Sequence, residues 1–181
     1  MIYRPSLSYN DVLLVPKYSD ITSRKEVSLI SELDASRELA LPVISSPMDT
    51  ITESSMANEM ARAGGLGIIH RYSSIEMQAQ MAYEVKDLNA KAAAIGITGD
   101  YLERAHALYE VGVKIFCLDV AHGHHVLMER AIKNIKSAYP DAHVMAGNVA
   151  TKSGFEDLAS WGADSIRCNI GGGSICSTRL Q

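Results

Sequence analysis

Cysteine is scarce in this chain: three among 181 residues, an odd number that cannot all pair within one chain. Their positions, 117, 168 and 176, fit no common zinc spacing, so neither a disulfide scaffold nor a structural zinc site is expected. A basic excess is also missing. Seventeen Lys and Arg against 21 Asp and Glu leave a net charge of −4, which argues against a general nucleic-acid binder while leaving room for a pocket that takes a single phosphate. No apolar run approaches the ~20 residues of a membrane helix, and the first nine residues lack the apolar stretch of a signal peptide. Proline-, glycine- or serine-rich linkers and low-complexity tracts are absent, so one domain is expected. Aromatic residues make up only 6% of the chain, yet 47% of it is hydrophobic, enough for a real core. The expectation is a reduced, cytoplasmic protein with neither membrane nor nucleic-acid partners.

What is present alternates. Short runs rich in Val, Ile and Ala occur at Leu41–Ser45, Leu66–Ile69, Ala92–Ile97, Lys114–Val120, His143–Val149 and Ser165–Ile170. Between them the spacing is helical, with Leu127, Ala131, Ile135 and Ala138 on one stripe and Leu102, Ala105 and Tyr109 on another. Continuous apolar runs separated by helices predict strands buried on both faces, hence a parallel sheet of βα units. Four capping boxes are read at Thr50/Glu53, Ser73/Glu76, Asp100/Glu103 and Ser153/Glu156. Gly64, Gly112 and Gly162 are read as left-handed helix ends before the next strand. The first βα turn, Ser46-Pro47-Met48-Asp49, lacks the G-x-G-x-x-G of a dinucleotide-binding open sheet. That leaves an α/β fold of the (β/α)8 TIM-barrel type, of which this chain supplies about six strands. A complete barrel needs ~250 residues. The 1–181 chain is therefore expected to be the N-terminal portion of a longer barrel, with an arm over 1–40 and βα units over 41–181.

In a βα barrel the chemistry gathers where strands end. These junctions are polar or glycine-rich here, and the helix-to-strand turns are plain. Gly171-Gly172-Gly173-Ser174-Ile175-Cys176 is the most informative. Its amides could cradle a phosphate with help from the Ser174 hydroxyl, its carbonyls could hold a bare cation, or it could be a plain glycine turn. Cys176 lies where a loop thiol is exposed enough to react, whereas Cys117 and Cys168 fall inside apolar strand runs and read as small buried hydrophobes. Asp119 suits a ribose hydroxyl pair, although turn formation or helix capping would also explain it. The Asn148 amide could read a base or ribose. Arg167, inside a strand, needs an anionic or carbonyl partner. The run His122-Gly123-His124-His125 invites a metal hypothesis but lacks a completing carboxylate and histidine set, so lining of a ligand mouth is the better reading.

These residues in this order resemble the IMP dehydrogenase/GMP reductase family over nearly the whole chain. The match runs through Asn10-Asp11-Val12-Leu13-Leu14-Val15-Pro16, Ser45 to Glu53, Gly64 to Arg71, Asp119 to His124, Ala146 to Thr151 and Gly173 to Arg179. The resemblance implies a homotetramer of (β/α)8 barrels that binds a purine nucleoside monophosphate and a nicotinamide dinucleotide. It implies Cys176 as the nucleophile toward purine C2 and Thr178 as the hydroxyl beside it. Ser46, Met48, Asn148, Arg167 and Ser174 match nucleotide-site positions. Asp119, Ala121 and His122 match the dinucleotide site, and Gly171, Gly173 and Cys176 match carbonyls that hold potassium. The implied cofactor is NAD for IMP oxidation, or NADP for the reductase branch that converts GMP to IMP. Gly172, Asn169 and Cys168 depart from the family's usual residues, so a looser loop is expected. Val85-Lys86-Asp87-Leu88 runs almost directly into Lys91-Ala92-Ala93, leaving no room for the regulatory domain pair usual in the dehydrogenases. The His-Gly-His run and Ser-Ile-Cys loop are nonetheless dehydrogenase-like.

Overall fold

The structure, a computed structural model, describes residues 11–171 together with Cys176 and Thr178. Eight strands and five α-helices are found among them. A hairpin of β1 (Ser31–Asp34) and β2 (Arg37–Leu39) comes first, followed by β3 (Ile44–Ser45), α1 (Ser54–Arg62), β4 (Leu66–Ile69) and α2 (Ile75–Tyr83). Then come β5 (Ala92–Ile95), α3 (Tyr101–Glu110), β6 (Ile115–Asp119), α4 (Val126–Ala138), β7 (His143–Val149), α5 (Lys152–Ser160) and β8 (Ser165–Cys168). Strands β3 to β8 form one curled parallel sheet in chain order, each joined to the next by a helix, as in a partial (β/α)8 barrel. No helix among the described residues is long and apolar enough to cross a membrane.

Period-two alternation builds two cores. Ile69, Ala93, Ile95, Phe116, Leu118, Val144 and Ala146 face the helices. The residues between them (Leu66, Ile68, Ala92, Ala94, Ile115, Cys117 and Met145) face the barrel interior, where Leu33 and Leu39 of the hairpin pack on them. The predicted helical stripes are each rotated by about one position. In α4 the buried face is Met128, Ala131, Ile132 and Ile135, and in α3 it is Arg104, Ala105 and Leu108. Ala138 and Leu102 lie outward, while Met128 and Ile132 of α4 and Leu108 of α3 take the buried places.

Several predicted boundaries shift. The first barrel strand shortens to two residues, β5 ends at Ile95, β6 spans Ile115–Asp119 and β8 ends at Cys168, because pairing with a neighbour stops there. The capping boxes move as well. Ser74 rather than Ser73 caps α2 by accepting from Met77 N, and Thr151 rather than Ser153 caps α5 by accepting from Gly154 N. Glu53 occupies the α1 cap position and Asp100 that of α3, neither with a side-chain cap bond; Asp100 is committed instead to Arg104. Gly64, Gly112 and Gly162 take φ of 85, 93 and 102°, the left-handed helix ends expected.

The hairpin inside the 1–40 arm was not anticipated. Its turn forms because the Asp34 carboxylate accepts from Ser36 N at 2.7 Å and from Ser36 Oγ at 2.8 Å. It is tied to the barrel's N-terminal face through His143, whose side chain is 0% exposed. His143 Nδ1 lies 2.5 Å from Asp34 Oδ2, and Nε2 lies 2.7 Å from Ser165 Oγ. A carboxylate only accepts, so Nδ1 donates to Asp34 and the Ser165 hydroxyl donates to Nε2 of a neutral ring. Burial pushes the His143 pKa below its usual value, in keeping with that neutral form. Burial of the Asp34 carboxyl is outweighed by hydrogen bonds from Ser36, His143 and Arg37, which hold it well below the carboxylate range.

Candidate active site

Because the six barrel strands are parallel, the junctions singled out above converge at one end of the sheet. Register places Asp119 of β6 opposite Gly147 of β7, and Gly147 opposite Arg167 of β8. The middle position has no side chain, and none would fit: a Cβ on Gly147 would come within 2.7 Å of both Cβ and the carbonyl oxygen of Arg167. Arg167 therefore reaches across β7 and forms an ion pair with the Asp119 carboxylate. Its Nη1 also lies 3.6 Å from the Cys117 thiol, which shares the inward face because it stands two residues before Asp119. This is the partner that a strand-embedded arginine requires, and it removes the capping explanation for Asp119. Burial disfavours the Arg167 cation, yet Cys117 and Asp119 beside it hold its pKa above the usual value. Asp119 Oδ2 makes no hydrogen bond among the described residues, and the side chain is 18% exposed, which leaves it an acceptor for a ligand.

Arg71, just past β4, completes the row from the other side. It crosses the end of β5 and donates from Nη2 to the Asp119 carbonyl at 3.3 Å. Its Nε is buried with no hydrogen-bond partner among the described residues. The sequence points to Arg71 in two ways, as part of the polar His70-Arg71 junction after an apolar strand run and through family likeness, but not to its reach toward Asp119.

Asn148 and Asp119 are brought together by backbone. Val120 N donates to Gly147 O at 3.1 Å, Asn148 N to Val120 O at 2.8 Å, and Gly123 N to Asn148 O at 2.8 Å. The Asn148 amide donates to Asn169 O at 2.9 Å, tying the end of β7 to the segment after β8. Ser46 and Met48 are exposed on the loop after β3, with Met48 at 48%. That loop is held by Thr52, whose fully buried hydroxyl donates to Ser46 O at 2.6 Å. Ala121 and His122 are exposed at the tip of the loop after β6. Gly171 and Cys176 are half-buried and Thr178 is exposed. Asn10, Gly173 and Ser174 lie outside the described residues.

The histidine run divides its labour. His125 caps α4 by accepting from Leu127 N at 3.1 Å, His124 pairs with Asp157 of α5 at 2.8 Å, and His122 remains exposed. No group of three metal-ligating side chains is assembled among the described residues. The cysteines divide too. Cys117 is buried as expected, and burial pushes its thiol up to about 12, so it is protonated and unreactive at neutral pH. Cys168 is exposed, contrary to expectation, because it ends the edge strand of the described sheet, with only β7 beside it. Cys176 keeps partial access to solvent.

Comparison with known proteins agrees with this geometry. The family described as "IMP dehydrogenase / GMP reductase domain" matches residues 6–181. A Cryptosporidium parvum protein named inosine-5'-monophosphate dehydrogenase is 37% identical over 218 residues, covering 96% of this chain and 54% of the relative. Proteins of the same name from Borreliella burgdorferi and Nitrosopumilus maritimus are 35% and 28% identical, each covering 99% of this chain and 57% and 64% of the relative. The chain thus spans somewhat over half the length of the curated relatives it matches. With strand order, mouth residues and family match in agreement, the chain belongs to the IMP dehydrogenase/GMP reductase family.

Proposed function

We propose that the protein to which this chain belongs oxidises IMP to XMP with NAD, Cys176 being the nucleophile. The observation that carries the reading is the Arg71–Asp119–Arg167 row at the mouth of a barrel of this family, in a chain whose segment after β8 carries a half-buried cysteine, Cys176. The names of the relatives favour IMP oxidation over GMP reduction.

In this reading the Cys176 thiolate adds to purine C2 of IMP. The nicotinamide, when bound, supplies the acceptor for the hydride that leaves C2. Loss of hydride leaves a thioimidate between Cys176 and the purine, and water then adds at C2 and releases XMP and the free thiol. Thr178 is the hydroxyl assigned to the reacting centre. Arg167, Asn148, Ser46, Met48 and Ser174 hold the nucleotide. Asp119, with Ala121 and His122, takes the dinucleotide, and the free Oδ2 of Asp119 fits a ribose hydroxyl. Carbonyls of Gly171, Gly173 and Cys176 are the proposed potassium ligands, and a homotetramer is the proposed assembly. Cys117 takes no part, since its thiol stays protonated.

The test offers the full-length protein IMP with NAD, and separately GMP with NADPH, while nicotinamide absorbance is followed. Turnover of the first pair, abolished by Cys176→Ala with IMP binding retained, is the expected result. Turnover of the second pair alone would assign the reductase reaction, and turnover of neither would remove the enzymatic reading. Replacing potassium with sodium tests the cation site.

A further inference from the structure

We propose that His124 is a positioning residue for the dinucleotide loop, clasping it to α5 through Asp157, and that Trp161 reports the state of this clasp. The inference rests on the reading of Asp119, Ala121 and His122 as the cofactor site. The loop between β6 and α4 is held on both flanks of an exposed tip. Ala121 and His122 at the tip make no hydrogen bond among the described residues. On one flank Val120 is bonded to Gly147 and Asn148. On the other, Gly123 is pressed against β7 so closely that a Cβ there would lie 2.9 Å from Asn148 O and 3.0 Å from the Gly147 carbonyl carbon. His125 is committed to the α4 cap. His124 alone among these histidines leaves the loop, reaching Asp157 Oδ2 with Nε2 at 2.8 Å. Asp157 only accepts, so Nε2 donates. The two side chains are 34% and 50% exposed, so the pair adds little to global stability, and its effect is local order in the loop.

Trp161 is the one tryptophan of these 181 residues, and its ring centroid lies 6.1 Å from that of His124. A ligand that seats on the loop and shifts His124 therefore changes the surroundings of Trp161.

The experiment uses the full-length protein and its His124→Ala, His124→Gln and Asp157→Ala variants, together with the His124→Ala/Asp157→Ala double variant. KM for NAD, KM for IMP, kcat, and tryptophan emission during NAD titration are measured, with Trp161→Phe isolating the signal of that residue. His124→Ala is expected to raise KM for NAD about fivefold, the upper end of what an exposed pair supplies, with kcat and KM for IMP nearly unchanged. Asp157→Ala should match it, the double variant should be no worse, and glutamine, whose side-chain amide can still donate to Asp157, should recover most of the loss. The NAD-dependent change in Trp161 emission should be present in the wild type and lost in His124→Ala. Normal wild-type kinetics with an unaltered KM in His124→Ala, an equal rise in both KM values, or additive effects in the double variant would overturn the clasp alone. A wild type that neither turns over NAD nor changes emission with it would overturn the cofactor reading as well.

Discussion

Replacing His143 with leucine tests the account of the barrel's N-terminal face. The substitution keeps an apolar side chain of similar bulk in a site that is 0% exposed but removes both hydrogen bonds. The bond to the Asp34 carboxylate is charge-assisted and contributes about 1.5–3 kcal/mol, and the bond from Ser165 about 0.5–1.5 kcal/mol. Asp34 retains Ser36 and Arg37, so its charge is not stranded, and a total of about 2–4.5 kcal/mol is expected. Urea unfolding followed by circular dichroism near pH 8 measures it. The pH dependence gives a second, independent reading. Folded His143 has its pKa lowered by burial, so as pH falls below about 6.5 the unfolded chain takes up the proton first and stability is lost. Asp34, also lowered, keeps its contribution until pH falls below about 3.9 and so does not move in the same window. The wild-type advantage over His143→Leu should therefore shrink from about pH 8 to about pH 5. A variant within about 0.5 kcal/mol of wild type, as at an ordinary surface position, would refute the tie. So would a stability gap that does not change with pH.

Gly147→Ala should separate Arg167 from Asp119, because the new Cβ would lie 2.7 Å from Arg167, and nucleotide binding by calorimetry should weaken with it. Thiol labelling near neutral pH should modify Cys176 and the exposed Cys168 while sparing Cys117 until the protein is unfolded; modification of native Cys117 would contradict its burial. Thr52→Val removes the hydroxyl that secures the loop after β3 and should cost about 1–3 kcal/mol in thermal unfolding, since the Ser46 carbonyl loses its donor.

Strand order and fold class were legible because both rest on averages over many residues. Six apolar runs with helical stretches between them have few packings open to them, and the absent glycine fingerprint excluded the main competitor. Details set by single contacts were less accessible. Ser73, Ser74, Thr151 and Ser153 are all chemically fit to cap, and tertiary packing of the helix start chooses among them. The hairpin carried a readable signal, Leu33 and Leu39 alternating with polar residues around an Asp-Ala-Ser-Arg turn, but its strands are short and polar enough to pass for an arm. Cys168 was placed inside because its run is apolar; exposure there depends on what lies beside β8, and one strand's composition does not carry that information. Within the site, Asp119 and Arg167 were each legible as residues in need of a partner, but their pairing was not. It depends on register across three strands and on the empty position at Gly147.

The two ends of the sheet handle charge differently, and this bears on the proposed activity. At the N-terminal face Asp34 is met by Arg37 and by a neutral histidine that relays to a serine, so the carboxylate is matched and the arrangement is closed. At the mouth two guanidiniums converge on Asp119, Arg167 on its carboxylate and Arg71 on its backbone carbonyl. Arg71 meets only the carbonyl of that residue and keeps a buried N–H without a partner among the described residues. The row thus carries one more positive charge than negative, in a chain whose overall charge is −4. Arg71 as a residue is half-buried, but its buried Nε–H is costly to leave unpaired unless a ligand completes it. The net positive charge of the row favours anions at that end of the sheet. A nucleotide fits this asymmetry, because its phosphate is attracted by the charge and its phosphate and carbonyl oxygens offer acceptors to the unpaired donor.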